Sequence, residues 1–190
     1  LHFQIEDSLE SVVVNALFAD GAAAALLSAR SGADAAGRMA YRGSRSVLDD
    51  DSAEAMTWTI GDTGFQMGLS SRVPDVIATH LPAYTNALLS AHSQTPADVD
   101  FWAIHPGGRR IVERAKDVLG LTDADVAASL SVLRDYGNMS SPTILFVLKR
   151  LLDTSPTNGA ADADPTSGVA MAFGPGLTIE GAFFRRVQAV

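Results

Sequence analysis

Between Tyr136 and Leu152 the chain reads Y-G-N-M-S-S-P-T-I-L-F-V-L-K-R-L-L, a polar loop running straight into a strongly apolar helix. Ser140 or Ser141 can act as N-cap, its hydroxyl accepting from a backbone N–H that has no partner within the helix. Pro142 suits the first helical position, where no donor is needed. Ile144, Leu145, Val147, Leu148, Leu151 and Leu152 form an apolar band too wide for a surface helix, which predicts a helix set deep in the protein. Such a helix is a rigid mount. Gly137 and Asn138 stand just ahead of its N-terminus, where the helix dipole favours negative charge. A carboxamide held there is either a device for starting the helix or a donor to a developing oxyanion.

The chain has 190 residues, 47% of them hydrophobic, enough for one sizeable core. It begins at Leu1 with residues that already read as folded protein, so it is expected to be part of a longer polypeptide, and no secretory signal is in view. The net charge of −8 is spread along the chain, which argues against a nucleic-acid partner. Residues 11–29 are apolar enough to raise a membrane-spanning reading, but Asn15, Asp20 and Gly21 interrupt the run. There is no cysteine, which rules out disulfides, thiolate metal sites and a cysteine nucleophile within these residues. The four histidines, His2, His80, His92 and His105, lack ligand spacing, so no metal is expected.

The remaining pattern predicts alternating strands and helices. A buried helix ends near Phe18, followed by a turn at Asp20-Gly21 and a buried strand over 22–27. Residues 31–38 read as a turn, 39–47 as a strand and 49–54 as an acidic loop. Met56–Ile60 and Phe65–Leu69 flank a Gly61-Asp62-Thr63-Gly64 turn, a hairpin. A helix over 74–92 follows, then a central buried strand over 99–104, a helix over 110–119 stopped by Gly120, and a helix over 123–134. Residues 153–168 read as a surface loop, and two strands surround Gly174-Pro175-Gly176. The whole is an α/β layered domain.

No G-x-S-x-G elbow, phosphate loop, H-E-x-x-H or G-x-G-x-x-G is present. His105 stands at the carboxyl end of the buried strand, where α/β sheets place ligands. Pro106, Gly107 and Gly108 after it leave room for a ligand and open a helix. From spacing alone, two readings stay open: a hydrogen-bonded histidine capping a strand end, or a site residue that Asn138 joins.

F-W-A-I-H-P-G-G at 101–108, Y-G-N-M-S-S at 136–141 and F-G-P-G-L-T at 173–178 resemble the C-terminal signatures of the type III polyketide synthases, the chalcone and stilbene synthase family. N-A-L-F-A-D-G-A-A-A at 15–24 resembles a fourth. Their order and spacing fit, over essentially the whole chain. Related ketoacyl synthases carry H-Q-A-N and N-T-S where this chain has H-P-G-G and N-M-S-S. The resemblance implies a thiolase-like fold of two βαβαβαββ halves. Residues 1–30 would end the first half, with its last helix and strand, and 31–190 would form the C-terminal domain. It also implies a homodimeric, cytoplasmic acyltransferase with acyl-CoA and malonyl-CoA as substrates and no further cofactor, nucleic acid or membrane partner; the Ala/Asp/Arg-rich composition and the I-G-D-T-G-F-Q-M segment look more bacterial than plant-like.

By the same resemblance His105 and Asn138 are the oxyanion donors of a decarboxylative condensation. A protonated His105 would hold an upstream cysteine as thiolate. Phe18 and Phe65 match positions gating the substrate tunnel, Ser140 a cavity position that can also be an N-cap, and Met56 a variable cavity position. Arg109 and Arg110 either meet CoA phosphates or are solvated surface residues, and Gly174-Pro175-Gly176 is scaffolding. Two other readings remain: a 3-oxoacyl synthase of the fatty-acid initiating kind, and a non-catalytic folding or dimerisation module. Without the cysteine, the chain alone is expected to be inert.

Overall fold

A computed structural model describes residues 9–29, 38–62, 64–154 and 166–187. In chain order the elements are α1 (Leu9–Leu17), β1 (Met39–Leu48), β2 (Met56–Gly61), β3 (Gly64–Leu69), α2 (Val73–Ser90), β4 (Phe101–Ile104), α3 (Arg109–Leu119), α4 (Asp123–Tyr136), α5 (Pro142–Thr154), β5 (Ser167–Gly174) and β6 (Thr178–Arg186). Four strands form one mixed sheet in the order β1-β6-β5-β4, and β2 and β3 form a separate hairpin. β6 runs antiparallel to both neighbours, while β4 and β5 are parallel. Setting the hairpin aside, the order β1, α2, β4, α3–α4, a single bridge at Asn138, α5, β5, β6 is the expected βαβαβαββ half, its third strand reduced to that bridge.

Local chemistry explains most boundaries. α3 stops where Gly120 takes a left-handed φ of 67°. α4 starts on a capping box in which Thr122 and Asp125 satisfy each other's backbone N–H. β5 is buried from Ser167 to Met171, as a strand covered on both faces must be. Ile77, Leu81, Leu88 and Leu89 on α2 pack with Trp102, Ile104, Val169, Met171 and Phe183 into the main core. A second cluster places Val147 of α5 and Val132 of α4 against Ala103 and Ala170.

Five expectations are corrected. Residues 22–27 form no strand: every one is exposed, Leu26 at 91%, because no described strand lies beside them to complete a ladder. α1 is likewise not buried, for Leu9, Val12 and Val13 face outward with no element over them among the described residues. The strand called central, β4, is the sheet's edge in this chain; Ser129 of α4 caps that edge by accepting the Ile104 N–H at 3.1 Å. α5 is half-buried rather than deep. Thr143 and Val147 are fully enclosed, but Ile144, Leu145, Leu148, Leu151 and Leu152 are only partly covered, since one flank lacks a neighbour among the described residues. The acidic stretch is a short 3-10 helix, Asp50–Ala55. The turn expected at 31–38 and most of the loop expected at 153–168 lie outside the described residues.

Candidate active site

β4 ends at Ile104, and His105 follows at its carboxyl end under cover of the surrounding helices. It is 8% exposed. Its backbone N–H donates to Met171 O on β5 (2.8 Å), and its carbonyl accepts from Gly107 N–H (2.9 Å), which turns the chain sharply toward α3. A Cβ on Gly107 would crowd Ile111 Cδ1 at 3.1 Å and stand 3.6 Å from the imidazole Cδ2, so glycine keeps the space over the ring open.

Asn138 is delivered from the other side. Its N–H donates to Leu17 O and its carbonyl accepts from Ala19 N–H, both at 2.9 Å, so residues 17–19 and 138 clip together and set Phe18 beside the carboxamide. The side chain is oriented by two partners: Oδ1 accepts from Ser140 N–H (2.9 Å) and Nδ2 donates to Gly107 O (3.2 Å). An amide nitrogen has two N–H groups, so one remains for a ligand. Asn138 therefore positions the backbone ahead of α5, the first of the two readings the sequence left open, and keeps one N–H without a partner among the described residues. The start of α5 is held by Asn138 and by Thr143, whose Oγ1 accepts the Met139 N–H at 2.8 Å, and not by the hydroxyl of Ser140 or Ser141 as expected. Pro142 does take the first helical position.

Gly137 makes the clip possible. Its φ of 71° and ψ of −169° are open to glycine and strained for other residues, and a Cβ there would lie 3.0 Å from Ala19 Cβ and 3.2 Å from Leu17 O. Gly137→Ala is expected to cost about 1–3 kcal/mol and to displace Asn138. A denaturant midpoint unchanged from wild type would show that the loop relaxes freely.

His105 carries no charge here. Burial pushes its pKa down to about 4, so at neutral pH the imidazole is neutral and offers one ring N–H. The expected imidazolium needs an anion beside it, and the cysteine that would supply one lies outside these residues. No described side chain lies within hydrogen-bond distance of the ring.

His105 and Asn138 line one pocket, about 80 Å³ and partly open to solvent, together with Phe18, Met56, Ser140 and Gly107. Trp58, Met67, Leu69, Ile111, Phe173 and Pro175 complete its wall. Ser140, at a left-handed φ of 62°, sits exposed at the rim. Phe65 is not part of the lining. It is 55% exposed and reaches the pocket only through an edge-to-face contact with Trp58 at 6.0 Å. The physical reason is register: Phe65 pairs with Ile60 next to the turn, whereas the pocket faces the other end of the hairpin, where Met56 pairs with Leu69 and Trp58 with Met67. Sequence reasoning missed Trp58, Met67 and Leu69, although counting by twos from the G-D-T-G turn puts them on the face of Met56. Arg109 and Arg110 are outside the lining; Arg109 pairs with Glu113 (2.6 Å) and Arg110 with Asp75 (3.8 Å), as surface arginines do. Pro175 brings the Gly174-Pro175-Gly176 turn to the rim. Among the described residues no group of three or more metal-ligating side chains occurs, and no helix is long and apolar enough to cross a membrane.

The chain is similar to several known proteins. The 1,3,6,8-tetrahydroxynaphthalene synthase of Streptomyces peucetius is 34% identical over 186 residues, covering 97% of this chain and 48% of that protein. The alpha-pyrone synthesis polyketide synthase-like Pks18 of Mycobacterium tuberculosis is 33% identical over 180 residues, covering 94% and 45%. The crystal structure of 1,3,6,8-tetrahydroxynaphthalene synthase from Streptomyces coelicolor A3(2), a bacterial type III polyketide synthase, superposes with a TM-score of 0.85 at 28% identity, over 99% of this chain and 51% of that one. The fold is thus thiolase-like, and the chain spans about half the length of each of these three relatives. The family pattern described as chalcone and stilbene synthases, C-terminal domain, matches residues 43–188. With that pattern covering most of its length and the histidine and asparagine of its motifs facing one pocket, the chain belongs to the chalcone and stilbene synthase family.

Proposed function

We propose that these residues are the C-terminal domain, with the end of a preceding half at 1–30, of an acyltransferase that condenses malonyl-CoA units onto an acyl-CoA starter, a type III polyketide synthase. The observation that carries this reading is the meeting of His105 and Asn138 across Gly107 in one pocket. The nucleophile comes from outside these 190 residues, which contain no cysteine. Its thiolate takes the starter acyl group from CoA and releases the CoA thiol. The malonyl C–C bond then breaks, carbon dioxide leaves, and the electron pair moves onto the thioester oxygen as an enolate. The enolate carbon attacks the enzyme-bound thioester carbonyl, and the cysteine thiolate departs as the new C–C bond is completed.

Negative charge builds on a thioester oxygen at both steps. The His105 ring N–H and the spare Asn138 N–H are the donors for it, each such donor contributing about 3 kcal/mol in a water-excluded site. An amide does not titrate, and a neutral imidazole stays a donor well above its pKa of about 4. Phe18, Met56, Met67 and Leu69 give the pocket apolar walls, against which a carboxylate leaves more readily as neutral carbon dioxide.

The enzyme works as a homodimer in the cytoplasm and needs no cofactor beyond its CoA substrates. The outward apolar residues Leu9, Val12, Val13, Leu26 and Leu27 support packing against further polypeptide. Incubating the intact protein with malonyl-CoA and a series of acyl-CoA starters tests the reading. Carbon dioxide release with products of more than one extension is expected. Products of a single extension would favour a 3-oxoacyl synthase, and no release with any starter would overturn the assignment.

A further inference from the structure

The hairpin carries an apolar stripe longer than the pocket it lines. In its register Met56 pairs with Leu69, Trp58 with Met67 and Ile60 with Phe65. Side chains alternate across a strand, so these six share one face. Exposure rises along the stripe, from 7% at Met56 through 38% at Trp58 to 81% at Ile60. The first two pairs line the pocket; Ile60 and Phe65 lie beyond it. Trp58 stands at the boundary. Its indole meets Phe18 edge-on inside the pocket, at 6.4 Å and 77°, and Phe65 edge-on outside it, at 6.0 Å and 86°. The exposed lining residues are Trp58, Ser140 and Pro175. Of these only Trp58 is large and able to turn about its side-chain torsions.

We propose that Trp58 is a specificity-determining residue that closes the inner pocket against the outer stripe and so restricts the site to short acyl chains. The proposal rests on the condensing activity proposed above. A chain that fits between Phe18 and the indole is held beside His105 and Asn138. A longer alkyl chain has to displace the indole and forfeit both edge-to-face contacts, which are favourable beyond their buried area. A small residue at position 58 would join the two regions into one apolar track ending at Ile60 and Phe65. Each methylene laid along that track then gains burial.

The test uses the intact protein, with hexanoyl-CoA and lauroyl-CoA as starters in the presence of malonyl-CoA. Trp58→Ala is expected to raise the ratio of kcat/KM for lauroyl-CoA over hexanoyl-CoA by at least about tenfold, the scale on which apolar pockets discriminate chain length, mainly through a lower KM for the longer starter. Trp58→Phe keeps a ring in the stripe and is expected to move the ratio the same way by less. Adding Ile60→Ser to Trp58→Ala is expected to take back most of the gain. A ratio unchanged in both single variants overturns the proposal while leaving the condensing activity intact. A wild-type protein that condenses neither starter with malonyl-CoA, nor any other acyl-CoA, removes the functional reading itself, and the proposal with it.

Discussion

Asn138→Ala is expected to lower kcat for condensation by about 10²–10³-fold, the loss typical of removing one aimed oxyanion donor. Since the donor acts on charge that exists only in the transition state, kcat and kcat/KM are expected to fall together, with KM little changed. The substitution also removes the hydrogen bonds to Gly107 O and from Ser140 N–H, a loss of about 0.5–1.5 kcal/mol in stability for each such part-buried bond. Asn138→Asp separates the two effects. Its carboxylate still accepts from Ser140 N–H, so the loop ahead of α5 keeps its shape, but it offers no donor and sets a negative charge against the enolate. Activity as low as in the alanine variant, with a denaturation midpoint nearer wild type, is the expected pattern. An aspartate variant within about fivefold of wild type in kcat would mean that Asn138 only shapes the loop.

The features legible in the sequence were those whose cause is local. Gly120 stops α3 because it can take a left-handed φ, the G-D-T-G segment folds back because two glycines bracket it, and Asn138 precedes an apolar helix because Pro142 marks its start. The motif around His105 was likewise readable, since the strand, the histidine and the two glycines are contiguous. What was not legible depends on partners distant in the chain. Nothing in residues 22–27 says whether a neighbouring strand exists, and apolar character alone predicted one. The band on α5 records what the helix is suited to bury, not what the described residues bring to cover it. Phe65 was assigned to the cavity and Trp58 overlooked because the turn fixes which residues share a face, but only the packing of the hairpin on the rest of the protein decides which pairs along that face line the pocket. The charge state of His105 is of the same kind, as it follows from burial in the folded chain rather than from its sequence neighbours.

That charge state gives the second large effect. The folded protein holds His105 at a pKa of about 4, whereas the unfolded chain titrates it near 6.5. Between those values the unfolded state binds more protons than the folded one, so stability rises with pH across this window and is lost as the pH falls through it. The full difference amounts to about 3 kcal/mol, large beside the total stability of an ordinary domain. His105→Gln, which cannot titrate, is expected to lack this dependence. Relative to that variant, the wild-type chain should therefore lose stability steadily in urea titrations from pH 6.5 down to about 4, and be parallel to it above pH 7. The comparison belongs in protein whose proposed nucleophilic cysteine is replaced by alanine, because a thiolate beside the ring would favour the imidazolium and raise its pKa. Restoring the cysteine should then shrink the acid sensitivity, which reads out the thiolate–imidazolium pair that the family resemblance implies. Parallel wild-type and His105→Gln curves over the whole acid range in the cysteine-free protein would show that the imidazole is hydrated, and with it that the pocket is not dry enough to make a neutral donor effective.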